Sequence, residues 1–222
     1  MNRRVIECLL GLVALNTSAF GQGYTPDTLE LNGNDGLDFD PVPQLQIADG
    51  GTIEFWVAPA WSADPGYDPV IICNAGPEGA SFLIAMLRDR DGIAIAAGGE
   101  EDIATFDFTD GQFHHVAVSQ FEDGTAVFVD GQLTGTSEFR FQDLPSVGVW
   151  IGSIDGMNNR FVGAIGGMRV WNTVIEQETL VEYALKDIFT GNHPDLLYLS
   201  ALSEFANRDL LLVEPADAPS AQ

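Results

Sequence analysis

Apolar residues in this chain fall in short runs separated by turn dipeptides. Asp-Gly recurs at Asp35, Asp49, Asp91, Asp110, Asp123, Asp130 and Asp155, each followed by glycine. Runs rich in β-branched and aromatic residues lie between them, at 28–31, 51–58, 70–74, 82–87, 92–97, 103–108, 147–151 and 163–171. Strands bounded by turns at this spacing predict an antiparallel sandwich or barrel, not βαβ units. The segment Phe113 to Gly135 is the clearest: runs 114–121 and 125–129 are punctuated by Asp123-Gly124 and Asp130-Gly131. Asp-Gly suits tight hairpins because glycine takes positive φ without a steric cost and aspartate tolerates it. Runs such as 93–97 are apolar on both faces, which predicts sheets covered on both sides.

The pattern changes once. Over 175–185, Leu180, Tyr183 and Ala184 share one face at helical spacing, with Glu176 and Glu178 in the first turn, where the helix dipole favours acids. One helix is expected there. Beyond Pro194, residues 196–199 and 210–213 read as closing strands.

The N-terminus reads as a separate piece. Arg3 and Arg4 precede an apolar run from Cys8 to Leu15, followed by the small residues Ser18, Ala19 and Gly21. That order predicts a secretory signal peptide over 1–21, a mature domain over 22–213 and a disordered tail over 214–222. The apolar run is too short to span a bilayer, so no membrane span is expected after signal cleavage. The compartment is then periplasmic or extracellular. Cleavage would leave Cys73 as the one cysteine, which excludes an intramolecular disulfide. Cys73 lies in an apolar run and reads as a small buried hydrophobe.

Thirty-three acidic residues against nine basic ones give a formal net charge of −24. Nucleic acid and anionic membranes are poor partners for such a surface, since both require clustered Lys and Arg.

Three segments carry a family resemblance: Thr52-Ile-Glu-Phe-Trp-Val-Ala-Pro59, the Phe113–Gly135 hairpin with its His-His-Val-Ala-Val strand, and Phe161-Val-Gly-Ala-Ile-Gly-Gly-Met-Arg-Val-Trp-Asn172. Their order and spacing resemble the laminin-G-like domain of the concanavalin A-like lectin and glucanase superfamily. The resemblance implies an all-β fold, a two-sheet antiparallel jelly-roll sandwich with one short C-terminal helix. Phe55 and Trp56 would then face opposite sides of one strand.

Function has to come from residues, because this fold hosts lectins, glycosidases, lyases and adhesion modules. Glucanases of the superfamily carry three acids in an alternating Glu-x-Asp-x-x-Glu run, and no such run occurs here. Glu100, Glu101 and Asp102 are contiguous and read as a solvated turn. His114 and His115 are neighbours on one strand, face opposite ways and read as packed sheet residues. No Gly-x-Ser-x-Gly elbow is present. For a metal, Asn32, Asn34, Asp35 and Asp38 offer hard oxygen ligands suited to Ca²⁺. Relatives with a structural ion supply an Asp where this chain has Gly166, so the same cluster also reads as turn chemistry. For a sugar, Trp61 and Tyr67 lie in a polar loop and offer aromatic faces, while Asn158, Asn159 and Arg160 form a second polar loop. Trp56, Trp150 and Trp171 read as core.

These features point to a secreted, non-catalytic recognition or adhesion module that binds a glycan or an extracellular protein through rim loops. Two alternatives stay open: a glycan-active hydrolase or lyase, and a purely structural envelope component. The enzyme alternative requires two carboxylates facing each other across a cleft, about 5–9.5 Å apart, one with a raised pKa.

Overall fold

Alternation within the runs divides each strand into an inward and an outward row, and the inward rows meet in one core. The computed structural model describes residues 28–34, 36–39, 47–76, 78–143, 148–184 and 195–200. The expected leader, the tail and the strand at 210–213 lie outside them.

One sheet contains β1 (Thr28–Asn32), β3 (Gly51–Pro59), β8 (His114–Phe121), β9 (Gly124–Val129), β10 (Gln132–Ser137) and β12 (Val162–Trp171), in the order β1-β12-β3-β8-β9-β10. β13 (Leu196–Ser200) also pairs with β12. The second sheet runs β2-β11-β4-β5-β6-β7, built from β2 (Leu37–Phe39), β4 (Val70–Gly76), β5 (Gly79–Met86), β6 (Gly92–Ala97), β7 (Glu100–Thr105) and β11 (Gly148–Ile151). The pairings within both sheets are antiparallel. This is the expected jelly-roll sandwich, with α1 (Gln177–Ala184) as the one helix among the described residues.

Ile53, Phe55 and Val57 of β3, Val116 and Val118 of β8, and Phe82, Ile84 and Met86 of β5 supply the core between the sheets. A bulge between Gly166 and Arg169 keeps both Ile165 and Met168 in that core, since one extra residue restores the alternation. On the outer side of the first sheet, Leu180 of α1 packs with Ala117, Ala126, Phe128 and Trp171. On the second sheet, Val70, Cys73, Ala85 and Ala94 form a further buried cluster, which accounts for the run 93–97 being apolar on both faces.

The Phe113–Gly135 segment forms the expected hairpin, β8 pairing β9. It continues into a second: Asp130 and Gly131, at φ of 50° and 71°, make a two-residue turn into β10. β10 itself, Gln-Leu-Thr-Gly-Thr-Ser, is too polar to be read as a strand from composition. Three expectations need correction. Glu100, Glu101 and Asp102 open β7 instead of forming a turn; the turn is Gly98-Gly99, both at positive φ. Acids on an exposed edge strand oppose edge-to-edge pairing. The run read as 103–108 accordingly starts three residues earlier and ends at Thr105. Trp150 is only half-buried, because it sits on the outward row of β11 opposite Cys73.

Candidate functional site

Two polar constellations stand out, one buried beneath the helix and one at the rim. Sheet register makes the first. Glu54 on β3 lies opposite Arg169 on one neighbour and Ala117 on the other, and Trp56 lies opposite His115. Glu54 is fully buried, yet its carboxylate is surrounded by donors. Oε1 accepts from Trp171 Nε1 (2.8 Å) and faces Arg169 Nε (2.7 Å), and Oε2 meets His115 Nε2 at 2.8 Å. A carboxylate only accepts, so His115 carries its proton on Nε2. Burial alone would raise the Glu54 pKa, but the Arg169 charge and the His115 and Trp171 donors hold it below the usual range. The Arg169 guanidinium lies over the Trp56 ring at 4.6 Å and the Tyr183 ring of α1 at 5.1 Å. Glu54, His115 and Arg169 come from the three segments that carry the family resemblance. Closed over by α1, the cluster fastens helix to sheet and has no face open to a ligand.

His114, on the opposite side of β8, joins the Asp130 turn. Nδ1 lies 2.8 Å from Asp130 Oδ2 and Nε2 lies 3.1 Å from Asp110 Oδ1. Both partners are acceptors, so the arrangement calls for imidazolium. Burial lowers the His114 pKa, but the two carboxylates outweigh it and the net direction is upward. The two histidines therefore serve separate structural clusters, as their alternation predicts.

The rim is where four loops are laced together. The loop after β3 carries Trp61, Tyr67 and Asp68; the turn after β5 carries Arg88 and Asp89; the loop before β12 carries Asn158, Asn159 and Arg160; and the turn after β1 carries Gly33. Tyr67 Oη donates to Arg160 O (3.3 Å), and Asn159 Nδ2 donates to Asp68 O (3.0 Å). Arg160 reaches Gly156 O (3.0 Å) and Gly33 O (3.5 Å). Arg88 N–H donates to Asp68 Oδ1 (2.9 Å). The loop before β12 is held from within: Asp155 Oδ1 accepts from the backbone of Met157 and Asn158, and Oδ2 accepts from Asn158 Nδ2. These bonds keep the Asp155 carboxyl below its usual range, the Asn158 side chain contributing most. Such a loop is preorganised, with Met157 70% exposed at its tip.

The structure thus brings Tyr67, Asn159 and Arg160 together across more than ninety residues of sequence. Trp61 does not offer a face. It is 7% exposed, packs edge-on against Phe161 at 5.4 Å and donates Nε1–H to Arg88 O (2.8 Å). Its polar neighbours in sequence reflect the loop it leaves, not the core it enters. Tyr67, 37% exposed, is the aromatic residue of the pair that reaches solvent. Beside it lies an open depression lined by Gly66, Tyr67, Asp68, Leu87, Arg88 and Asp89. Asp68, Arg88 and Asp89 were missed in sequence, where a charged turn looks the same whether or not it borders a site.

Of the candidate metal ligands, Asn32 Oδ1 accepts from Asn34 N–H (2.8 Å) and caps its own turn. Asp38 belongs to β2, opposite Trp150, not to a loop. Asp35 lies outside the described residues. Among those residues no three His, Cys, Asp or Glu side chains converge on a metal position. Cys73 is buried and its thiol is pushed up to about 12, by burial first and then by the Asp155 charge, so it is no nucleophile at neutral pH.

One carboxylate pair has proton affinities driven apart. A hydrogen bond between Asp89 and Asp91 lowers the first and raises the second. They are direct partners on a solvent-exposed turn, not acids separated across a cleft, so the glycosidase geometry is not met by this pair.

No curated protein sequence matches the chain. Solved structures do, at the level of fold. A candidate carbohydrate-binding protein from Bacteroides ovatus has 18% identity and a TM-score of 0.64, with 82% of this chain covered but 53% of that one, so this chain spans about half its length. The heptameric SAP-like pentraxin of Limulus polyphemus has 16% identity and a TM-score of 0.58, covering 71% and 81% of the two chains. The CBM40 domain of the Ruminococcus gnavus IT-sialidase, solved with α2,3-sialyllactose, has 15% identity and a TM-score of 0.54, covering 72% of this chain and 100% of that one. A laminin-G family model, described as the concanavalin A-like lectin/glucanases superfamily, matches residues 31–180 of the 222. Spanning the described strands from β1 to β12 and entering α1, that match makes the chain a member of the laminin-G-like family of this superfamily.

Proposed function

We propose that the protein is a secreted, non-catalytic recognition module that binds a glycan at the loop rim. The observation that carries this reading is the depression beside Tyr67. A half-exposed phenol ring stands next to the carboxylates of Asp68 and Asp89 and the Arg88 guanidinium, on loops locked by Arg160, Asn159 and Asp155. Sugar recognition needs an aromatic face for the pyranose ring and fixed polar groups for its hydroxyls. Locked loops lower the ordering cost of binding. The carbohydrate ligand of the Ruminococcus gnavus domain lends weight to the ligand class. The leader-like segment at 1–21 motivates the secreted placement.

A glycan array followed by calorimetry on the best hit tests this. Tyr67→Ala is expected to weaken binding at least about tenfold with little change in melting temperature, since an exposed residue carries little packing energy. Trp61→Ala is expected to weaken binding and to destabilise the fold by about 3–5 kcal/mol, as a deleted buried aromatic does. Equal binding by wild type and Tyr67→Ala would remove the rim from the account.

A further inference from the structure

We propose that the rim selects neutral glycans and turns away those bearing a carboxylate or sulfate; this rests on the rim being the glycan site. Binding an acidic sugar calls for a guanidinium or ammonium whose donors are open to the ligand. Among the described residues three arginines stand at the rim, each set beside carbonyls or carboxylates of the protein. Arg160 holds Gly33 O and Gly156 O, and its Nε is buried. Arg88 is the exposed one, but the Asp64 carboxylate lies 4.0 Å from its Nε and Asp89 follows it in the same turn, so acids already stand beside the cation a ligand would meet. Arg90, at φ 68°, lies between Asp89 and Asp91 in the same turn.

Carboxylates outnumber these cations at the same place: Asp64, Asp68, Asp89, Asp91 and Asp155. Asp64 Oδ1 accepts from Gly66 N–H (2.7 Å) and Asp68 Oδ1 from Arg88 N–H (2.9 Å), so both loops hold their acids in place. A chain with a net charge of −24 adds a repulsive background. An anionic sugar would therefore lose solvation and meet like charge, whereas a neutral sugar's hydroxyls can donate to the same carboxylates. Discrimination comes from the repulsive element more than from any added attraction.

The test compares matched pairs on the full chain by calorimetry in chelator-containing buffer: lactose with α2,3-sialyllactose, and a galactan with a galacturonan oligosaccharide. The neutral member is expected to bind at least about tenfold more tightly. That gap should shrink as salt is raised, because screening weakens the repulsion. Asp64→Asn, which releases Arg88 from its carboxylate, should narrow the gap by tightening the acidic member. Equal or tighter binding of the acidic members overturns the selectivity while leaving the rim reading intact. Absence of binding by both members of every pair overturns the rim reading and this inference together.

Discussion

Arg169 and Glu54 face each other in a layer where neither can reach water. Removing one charge strands the other, which costs far more than the pair contributes over an apolar replacement. Glu54→Gln is therefore expected to destabilise the protein by about 3–5 kcal/mol in urea unfolding, and the Glu54→Gln/Arg169→Met double variant to recover part of that loss. A double variant as unstable as the sum of both single variants would refute the coupling. His114 makes the opposite kind of statement about pH. Its pKa is raised in the folded state, so its contribution is fully present below the unfolded value near 6.5 and is lost as pH rises through the folded value. Melts from pH 5 to 9 should show wild type losing stability over that alkaline-going window, relative to His114→Gln. Parallel curves would exclude the charge-dependent clamp. At this scale the chain's chemistry was only partly legible: alternation put the two histidines on opposite faces, but no spacing rule pairs Glu54 with residues 61 and 115 positions away.

The two-residue turn between β9 and β10 does more than reverse the chain. Asp130 accepts from His115 N–H (2.9 Å), and Gly131 O accepts from Gln177 Nε2 (2.9 Å) of α1. A Cβ on Gly131 would lie 2.5 Å from Val181 Cγ2 and 2.8 Å from its Cα, at a φ of 71°. Gly131→Ala is expected to cost about 1–3 kcal/mol and, in hydrogen exchange, to lower protection in α1 while β5 and β6 keep theirs. Uniform loss of protection would mean that the helix is not a separately docked element. Elements with long runs of β-branched and aromatic residues were readable in sequence. β2 and β10 were not, and β7 was placed three residues late, because a short edge strand has one neighbour and leaves little hydrophobic signal.

Taken whole, the molecule balances a core packed on two layers against a surface dominated by negative charge. With 33 acids against nine bases, the excess of negative charge repels itself more in the folded state than in the expanded chain. Raising NaCl from about 20 mM to about 500 mM should therefore raise the melting temperature, as the screening length shortens to a few ångströms. A fall would show that attractive surface pairs outweigh the repulsion. At acid pH the buried cluster sets a further limit: Glu54 has a depressed pKa, so its contribution is present above the unfolded value near 4.3 and is lost as pH falls through the folded one.

Most of the strands, the hairpin, the helix at 177–184 and the family follow from local patterns alone, because alternation and turn chemistry act between residues near in sequence. What only the tertiary structure decided is who meets whom. Trp61 left its polar loop for the core, Tyr67 stayed at the surface, and Arg160 bridged loops 127 residues apart. Burial and long-range hydrogen bonding depend on the closed sandwich, so the scaffold can be read along the chain while the rim exists only after the sheets have packed.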